Sequence, residues 1–194
     1  MKKNDTRNTK GRIVSSAWEL FYEQGYDNTT IEDIVERSET SKGSFYHYFE
    51  GKDGLLSSLS FLFDEKYEEL MSTMEESMNS FDKLIYLNHE LFLMIENSIP
   101  IDLLAQLYAS QLKTNGEKHL LDRSRTYYRV LRKIILEGQK REQLRSDFSV
   151  NEIVKTYAMC ERAILYDWCI CNGEYSVCQY SSTVLPMFLQ SFKC

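Results

Sequence analysis

The sequence predicts an all-α protein with a small three-helix unit at the N-terminus and a larger helical bundle behind it, about nine helices in all. Three observations carry this. Apolar residues recur three and four apart along almost the whole chain, with no strand-like alternation. Only two prolines and eight glycines occur in 194 residues, and inside a helix these cost about 3 and 1 kcal/mol. Helix-start signals, a Ser or Thr followed three residues later by Glu or Gln, recur along the chain.

The first eight residues read as a basic, flexible arm. A helix then runs from about Thr9 to Gln24, with Ile13, Ala17, Leu20 and Phe21 on one face, and Gly25 placed to end it in a left-handed C-cap. Thr29 and Glu32 form a capping box for a second helix that buries Ile31, Ile34 and Val35 and ends near Ser38. After the turn Ser38-Glu39-Thr40, Ser41 is an N-cap for a short third helix through about Tyr48, whose Phe45 and Phe49 pack back on the first two. The small unit closes at 51, giving domains 1–51 and 52–194.

In the larger domain a long helix runs from Lys52 or Asp53 to about Met78, with Leu55, Leu59, Leu62, Tyr67, Leu70, Met74 and Met78 as its apolar stripe. Ser80 caps a helix from Phe81 to about Glu96, and Pro100 precedes another from Ile101 to Leu112. A loop around Gly116 leads to a helix from about His119 to Arg141. Ser149 and Glu152 open a helix that stops at Asn172-Gly173. Ser176 and Gln179 open the last, kinked at Pro186 and reaching about Phe192.

Composition narrows the function. A hydrophobic share of 43% supports a sizeable core. No apolar run reaches the roughly 18 residues that span a bilayer, and the N-terminus carries no apolar signal core, so the expected location is the cytoplasm. Five cysteines, Cys160, Cys169, Cys171, Cys178 and Cys194, are odd in number and crowded at one end, unlike a secreted disulfide framework. Cys169-x-Cys171 points its thiols apart on a helix, a poor metal pair, so they read as small buried hydrophobes and no metal or cofactor is expected. With no phosphate loop, nucleophile elbow or metal-ligand pair, no catalytic residue is assigned and an enzyme is not expected. A net charge of −6 argues against non-specific nucleic-acid coating but allows a local basic patch, here Lys2, Lys3, Arg7, Lys10 and Arg12 facing only Asp5. Arg123, Arg125, Arg129, Arg132 and Lys133 read as a solvated helix face.

The stretch from Thr29 to Leu55 has what a DNA-reading helix needs: a partner helix, phosphate donors and small residues that let the backbones approach. Thr29 and Thr30 place hydroxyls and amides at a helix N-terminus. Ser41, Lys42, Gly43 and Ser44 occupy the first turn of the third helix, where base edges are reached. Tyr46, His47 and Lys52 follow at spacings suited to the DNA backbone. In the same stretch Glu32, Asp33, Glu36, Glu39, Glu50 and Asp53 outnumber Arg37, Lys42 and Lys52, so affinity is expected to come from placed donors, helix N-termini and the basic arm.

The strings N-T-T-I-E-D-I, S-K-G-S-F-Y-H-Y-F and K-D-G-L resemble the DNA-binding domain of the TetR (tetracycline-repressor-like) family over residues 10–56. Gly138–Asp147 resembles a recurrent junction in that family's regulatory domain. The resemblance implies that Lys42, Gly43 and Ser44 enter the major groove, that Tyr46, His47 and Lys52 hold phosphates, and that Thr30 adds a contact. It also implies a homodimer on a palindromic operator, released by a small-molecule effector. Two positions depart from the pattern. Glu39 stands where the turn often carries Gly, and Glu50 stands where a basic residue is common.

In the larger domain, polar residues interrupt apolar stripes: Asn88 with His89 and Phe92 beside it, Tyr108 and Gln111 on the next helix, and Glu161 between Ala158 and Leu165. A buried polar group without a partner costs about 1–3 kcal/mol, so each is paired, hydrated or used. With Tyr127, Tyr128, Met159, Tyr166 and Trp168 as aromatic or soft walls, these are the ligand candidates, and each competes with a plain core or interface role. The expected effector is mid-sized and largely apolar or aromatic, with Glu161 leaving room for a cationic one. The last two helices are the expected dimer contact, through Tyr157, Ile164, Val177, Val184, Leu185, Phe188 and Leu189. A ligand-independent or a redox- or metal-responsive DNA-binding regulator is the alternative.

Overall fold

The computed structural model describes residues 4–113 and 118–194, with side chains from Thr9 onward. Among these residues the elements are α-helices and short 3-10 turns, with one isolated β-bridge between Leu144 and Lys193. The helices are α1 (Asn4–Gln24), α2 (Ile31–Arg37), α3 (Lys42–Tyr48), α4 (Lys52–Leu56), α5 (Ser58–Thr73), α6 (Ser80–Ser98), α7 (Ile101–Lys113), α8 (Thr126–Lys140), α9 (Val150–Ile170) and α10 (Val177–Leu189). Two compact units contain them. The first combines residues 1–61 with 102–119, and the second combines 62–101 with 120–194.

Unit 1 is held by α1, α2 and α3 around Ile13, Ala17, Leu20, Phe21, Ile34 and Phe45, all buried. Rings interlock there: Phe21 lies 5.1 Å from Tyr26, and Phe45 lies 5.7 Å from Phe49, centroid to centroid. Gly25 takes φ +83° and its N–H donates to the Phe21 carbonyl, ending α1 as its sequence predicts. The helix itself starts earlier than expected. Asn4 to Asn8 belong to α1 rather than to a flexible arm, and Lys2 and Lys3 lie outside the described residues.

The expected cap of α2 is corrected by one residue. Thr30, not Thr29, is the N-cap, and Asp33 rather than Glu32 completes the box. Thr29 is buried and its hydroxyl donates to the Gly25 carbonyl at 2.8 Å, so it closes the preceding turn. Glu39 adopts φ +52°, the left-handed conformation that the missing glycine would have relieved.

The expected long helix from Lys52 to Met78 is broken at Ser57 into α4 and α5, and ends at Thr73. Serine chemistry explains the break. The Ser57 hydroxyl donates to the Gly54 carbonyl at 2.6 Å, Ser60 to the Ser57 carbonyl at 2.5 Å, and Ser58 to that of Leu55. Each offers the backbone a local alternative to the helical ladder. Past the break Phe63 is buried where Leu62 was expected, while Tyr67 and Leu70 are buried as the sequence predicts.

Unit 2 packs α6 against α8 and α10, and both of these against α9. Asn79, not Ser80, caps α6, accepting from the Phe81 N–H at 2.8 Å, while Ser80 is fully buried. The single helix expected from His119 to Arg141 is also two elements, a 3-10 turn (His119–Leu121) and α8. Asp122 separates them by accepting from both the N–H and the hydroxyl of Ser124. The loop around Gly116 falls largely outside the described residues. The box at Ser149 with Glu152 is where the sequence places it, and Ser176 caps α10 by accepting from the Gln179 N–H at 3.2 Å. At Gly138 an added Cβ would meet Leu144 and Ser80 side-chain carbons at 2.7 Å, so the α8–α9 junction folds back on α6 only because this residue has none.

Candidate nucleic-acid interface and sensor core

On α2 and α3 the predicted DNA-facing residues fall into two groups. Thr30, Ser41, Lys42, Gly43, Tyr46 and His47 are exposed, and Ser44 is half-buried. Thr30 accepts from the Asp33 N–H at 3.1 Å and its own N–H donates to the Asp33 carboxylate at 2.8 Å, which holds that carboxyl below its usual range. The Thr30 hydroxyl also lies within hydrogen-bonding reach of the Asp33 carboxylate. Ser41 caps α3 by accepting from the Ser44 N–H at 3.0 Å. A Cβ on Gly43 would meet only the Ser41 hydroxyl, at 3.7 Å, so the protein itself does not require glycine there and the space is on the outer side. Tyr46, 55% exposed, is steadied edge-on by Phe45 at 5.4 Å, and His47 by Tyr48 at 4.8 Å.

Two predicted contacts are committed elsewhere. The Lys42 ammonium forms an ion pair with Glu32, an exposed pair that a phosphate can replace at little cost. Lys52 is more firmly held. Its ammonium donates to the Thr29 carbonyl at 2.9 Å and the Tyr26 carbonyl at 2.5 Å, and lies 4.1 Å from the Tyr26 ring centroid. Tyr26 in turn donates to Asp53. In this structure Lys52 therefore fastens the loop before α2 rather than facing outward. Nothing in the sequence flags this cluster, because Tyr26 and Thr29 lie more than twenty residues from Lys52 and Asp53.

In unit 2 the interrupted stripes meet at one point. Glu161 is buried. Its carboxylate accepts from Asn88 Nδ2 at 2.9 Å and from the Tyr127 hydroxyl at 2.7 Å, and Ser181 donates to Asn88 Oδ1. Tyr157 donates to the Leu84 carbonyl at 2.9 Å and also lies within hydrogen-bonding reach of Glu161. Tyr67 packs 5.1 Å from the Tyr127 ring, and its buried hydroxyl has no hydrogen-bond partner among the described residues. Burial pushes the Glu161 carboxyl up, against the hydrogen bonds of Asn88, Tyr127 and Tyr157, which pull it down. No Lys, Arg or His forms an ion pair with it among the described residues. The cluster reaches α5 through Tyr127, whose N–H donates to Asp64 at 3.1 Å. Asp64 is gripped by Arg125 through two bonds of 3.0 Å.

The remaining ligand candidates scatter. Phe92 and Trp168 are core, and Trp168 donates to the Tyr175 carbonyl at 2.8 Å. Tyr128 is buried and donates to the Leu120 carbonyl at 3.0 Å. His89 is partly exposed beside Glu90 at 3.1 Å. Tyr108 and Gln111 belong to unit 1, half-buried. Met159 and Tyr166 are exposed on the outer side of α9, not directed into a core.

The dimer candidates need a similar correction. Tyr157, Ile164, Val177, Leu185 and Leu189 are buried within the single chain. Of the seven, only Phe188 is exposed and Val184 half-exposed. The apolar side chains that α9 and α10 leave uncovered are Met159, Tyr166 and Ile170 on one helix and Tyr180, Met187 and Phe188 on the other. Each set recurs at helical spacing, the same signal read one face too far inward. The thiols of Cys160 and Cys169 are both pushed up to about 11 by burial, which disfavours the reactive thiolate.

A helix-turn-helix with outward donors, followed by a helical bundle with a buried polar cluster, is the build of a DNA-binding regulator. Residues 13–59 match the family model for bacterial regulatory proteins of the tetR family, and residues 63–191 match that for the C-terminal region of YsiA-like proteins. The chain belongs to the TetR family of transcriptional regulators. It is 27% identical over 147 residues to the HTH-type transcriptional regulator QacR of Staphylococcus aureus, covering 75% of this chain and 77% of that one. It is 21% identical over 182 residues to the fatty acid metabolism regulator protein of Bacillus subtilis, covering 92% of each. Its fold is similar to that of Thermus thermophilus FadR, a TetR-family repressor solved with lauroyl-CoA, with a TM-score of 0.75, 21% identity and 92% of each chain covered. These relatives are transcriptional regulators rather than enzymes, and among the described residues no helix is long and apolar enough to cross a membrane.

Proposed function

We propose that this regulator is a repressor, bound as a two-fold homodimer to a palindromic operator and released when a small, largely apolar effector enters unit 2 beside Glu161. The observation that carries the reading is the Glu161 cluster. A carboxylate in an apolar core is expensive, and replacing such groups with apolar ones often stabilises a protein. Tyrosine rings around a carboxylate that forms no ion pair among the described residues suit an effector with a cationic or hydrogen-bond-donating group on an aromatic or aliphatic body. The unpartnered Tyr67 hydroxyl offers such a ligand a further contact.

Release follows from connectivity. The effector competes for Tyr127, whose backbone N–H and neighbour Arg125 both hold Asp64 on α5. α5 is continuous with the segment that leads back to the helix-turn-helix. A shift there changes the separation of two recognition helices away from one turn of DNA, about 34–36 Å. The effector has to prefer the released state, since equal affinity for both shifts nothing. The uncovered apolar faces of α9 and α10 are where the partner subunit packs.

On DNA, Thr30, Tyr46 and His47 hold phosphates while Ser41, Lys42, Gly43 and Ser44 face the major groove. Lys52 contributes by fastening the loop before α2.

A second reading, a long-chain acyl thioester as effector, is favoured by the YsiA-like C-terminal match and by the lauroyl-CoA bound to Thermus thermophilus FadR. Fluorescence anisotropy on an operator selected in vitro separates the two. Release by lipophilic cations, and its loss in Glu161→Gln, supports the first. Release by lauroyl-CoA alone, unchanged in that variant, supports the second. Release by neither class ends both.

A further inference from the structure

Unit 1 contains a cleft of about 850 Å³ that the reading above leaves without a role. It is formed wholly within that unit, by the end of α3, the turn into α4, the start of α5, the end of α7 and the 3-10 turn after it. Its size is in the range of small-molecule sites. Its lining is of two kinds. Tyr48, Phe49 and Phe61 give an aromatic wall, and Phe61 is 61% exposed. Lys10, Lys113 and His119 come from three different elements. Among the described residues none of these three has a carboxylate partner, and Lys10 has only the Phe49 ring, 5.8 Å away. The two carboxylates of the lining are Glu50 and Asp53, and Asp53 already accepts from Tyr26.

We propose that this cleft is a binding site for a phosphorylated organic anion with an aromatic or apolar body. Two lysines and an imidazole able to donate hydrogen bonds suit a group with several anionic oxygens better than a single carboxylate. The aromatic wall covers the rest of the molecule, as it does in sites that stack a ring. The position also gives such a ligand a consequence. It would sit on residues 48–54, the segment that ends the recognition helix and leads into α4, so occupancy biases the helix-turn-helix from within its own unit. This is a second input, independent of Glu161 and of any effector in unit 2.

The test is calorimetric titration of the full-length protein with four probes: ATP, free coenzyme A, inorganic pyrophosphate and dodecanoate. ATP or coenzyme A is expected to bind more tightly than pyrophosphate, and dodecanoate most weakly. ATP as the tighter of the two assigns a stacked base, and coenzyme A assigns the extended apolar arm. The double variant Lys113→Glu, His119→Glu is expected to weaken the tighter probe at least about tenfold, since each charge-assisted contact is worth about that factor. Glu161→Gln should leave that affinity unchanged, which separates failure here from failure of the unit 2 reading. Phe61→Ala should weaken ATP or coenzyme A but not pyrophosphate, a result that general unfolding cannot mimic. Binding of dodecanoate as tight as any phosphate probe overturns the proposal. So does equal binding of pyrophosphate and ATP, or no effect of the double variant. Loss of operator affinity in the double variant without any ligand overturns it too, by making the cleft a DNA contact.

Discussion

The two units place their polar chemistry on opposite sides. In unit 1 the buried polar side chains are mostly small hydroxyls, Ser16, Thr29, Ser38 and Ser60, while Thr30, Lys42, Tyr46 and His47 lie exposed. In unit 2 a carboxylate, an amide and three tyrosines are turned inward around Glu161, while α9 and α10 show apolar side chains to the outside. A rigid apolar core with polar groups outside suits a module that presents groups to DNA. A core with a buried polar cluster and an outer face with uncovered apolar side chains suits a module that receives a ligand and a partner subunit. The difference can be broken from either side.

The largest effect is expected on the apolar exterior. Charging it with Ile170→Glu and Met187→Glu, at residues 64% and 72% exposed in the single chain, should leave the fold intact but yield monomers. Operator affinity should then fall roughly 100-fold or more, because two half-sites are no longer bound together. Sedimentation and anisotropy check this. Leu185→Glu is the contrast, since that side chain is fully buried and should unfold unit 2 rather than merely separate subunits. A tight dimer in the exposed-face variant would place the interface elsewhere.

The second effect lies at the junction. Gly138→Ala should destabilise unit 2 by about 1–3 kcal/mol, through contacts that only a backbone shift relieves. Denaturant unfolding measures it, and no loss would mean that Leu144 moves freely.

The third is the buried carboxyl. Its folded value lies above its unfolded one, so the folded chain holds the proton longer. Stability from this group is therefore fully present below the unfolded value, near 4.5, and lost as pH rises through the folded one. Glu161→Gln should abolish that loss and gain about 1–3 kcal/mol at alkaline pH, with little change at pH 4. Melting temperatures of both proteins across pH would show the curves diverging upward. Parallel curves would mean that folding leaves the Glu161 carboxyl unshifted.

The smallest effect is in the turn of unit 1. Glu39→Gly relieves the left-handed strain of Glu39, but loosens the unfolded chain, so a net gain of roughly 0.5 kcal/mol is expected. A loss would show that the Glu39 side chain contributes a contact.

How far the sequence reaches follows the same division. Local signals gave the helix-turn-helix, because Ser41, Gly25 and the periodicity of α1 act within a few residues. They also found Glu161 and Asn88, since a polar residue on an apolar stripe is visible in one dimension. What the sequence misled on was rotation and competition. The capping box at Thr29 with Glu32 overlaps that of Thr30 with Asp33, and burial of Thr29 decided between them. Serines at 57, 58 and 60 broke a helix whose apolar pattern continued straight through. On α9 and α10 both faces carry large apolar residues, so periodicity could not tell the core from the exterior. The fastening of Lys52 to the Thr29 and Tyr26 carbonyls depends on a fold-level approach that no local pattern contains.

The central claim is that unit 2 controls unit 1 through the Glu161 cluster. The most direct measurement is operator affinity by anisotropy, for wild type and Glu161→Gln, with and without a saturating lipophilic cation. The account predicts at least about tenfold weaker operator binding with the cation in wild type and almost none of that response in the variant, both proteins binding operator equally without it. A cation that binds the protein yet leaves operator affinity unchanged, or acts equally on both proteins, would contradict it.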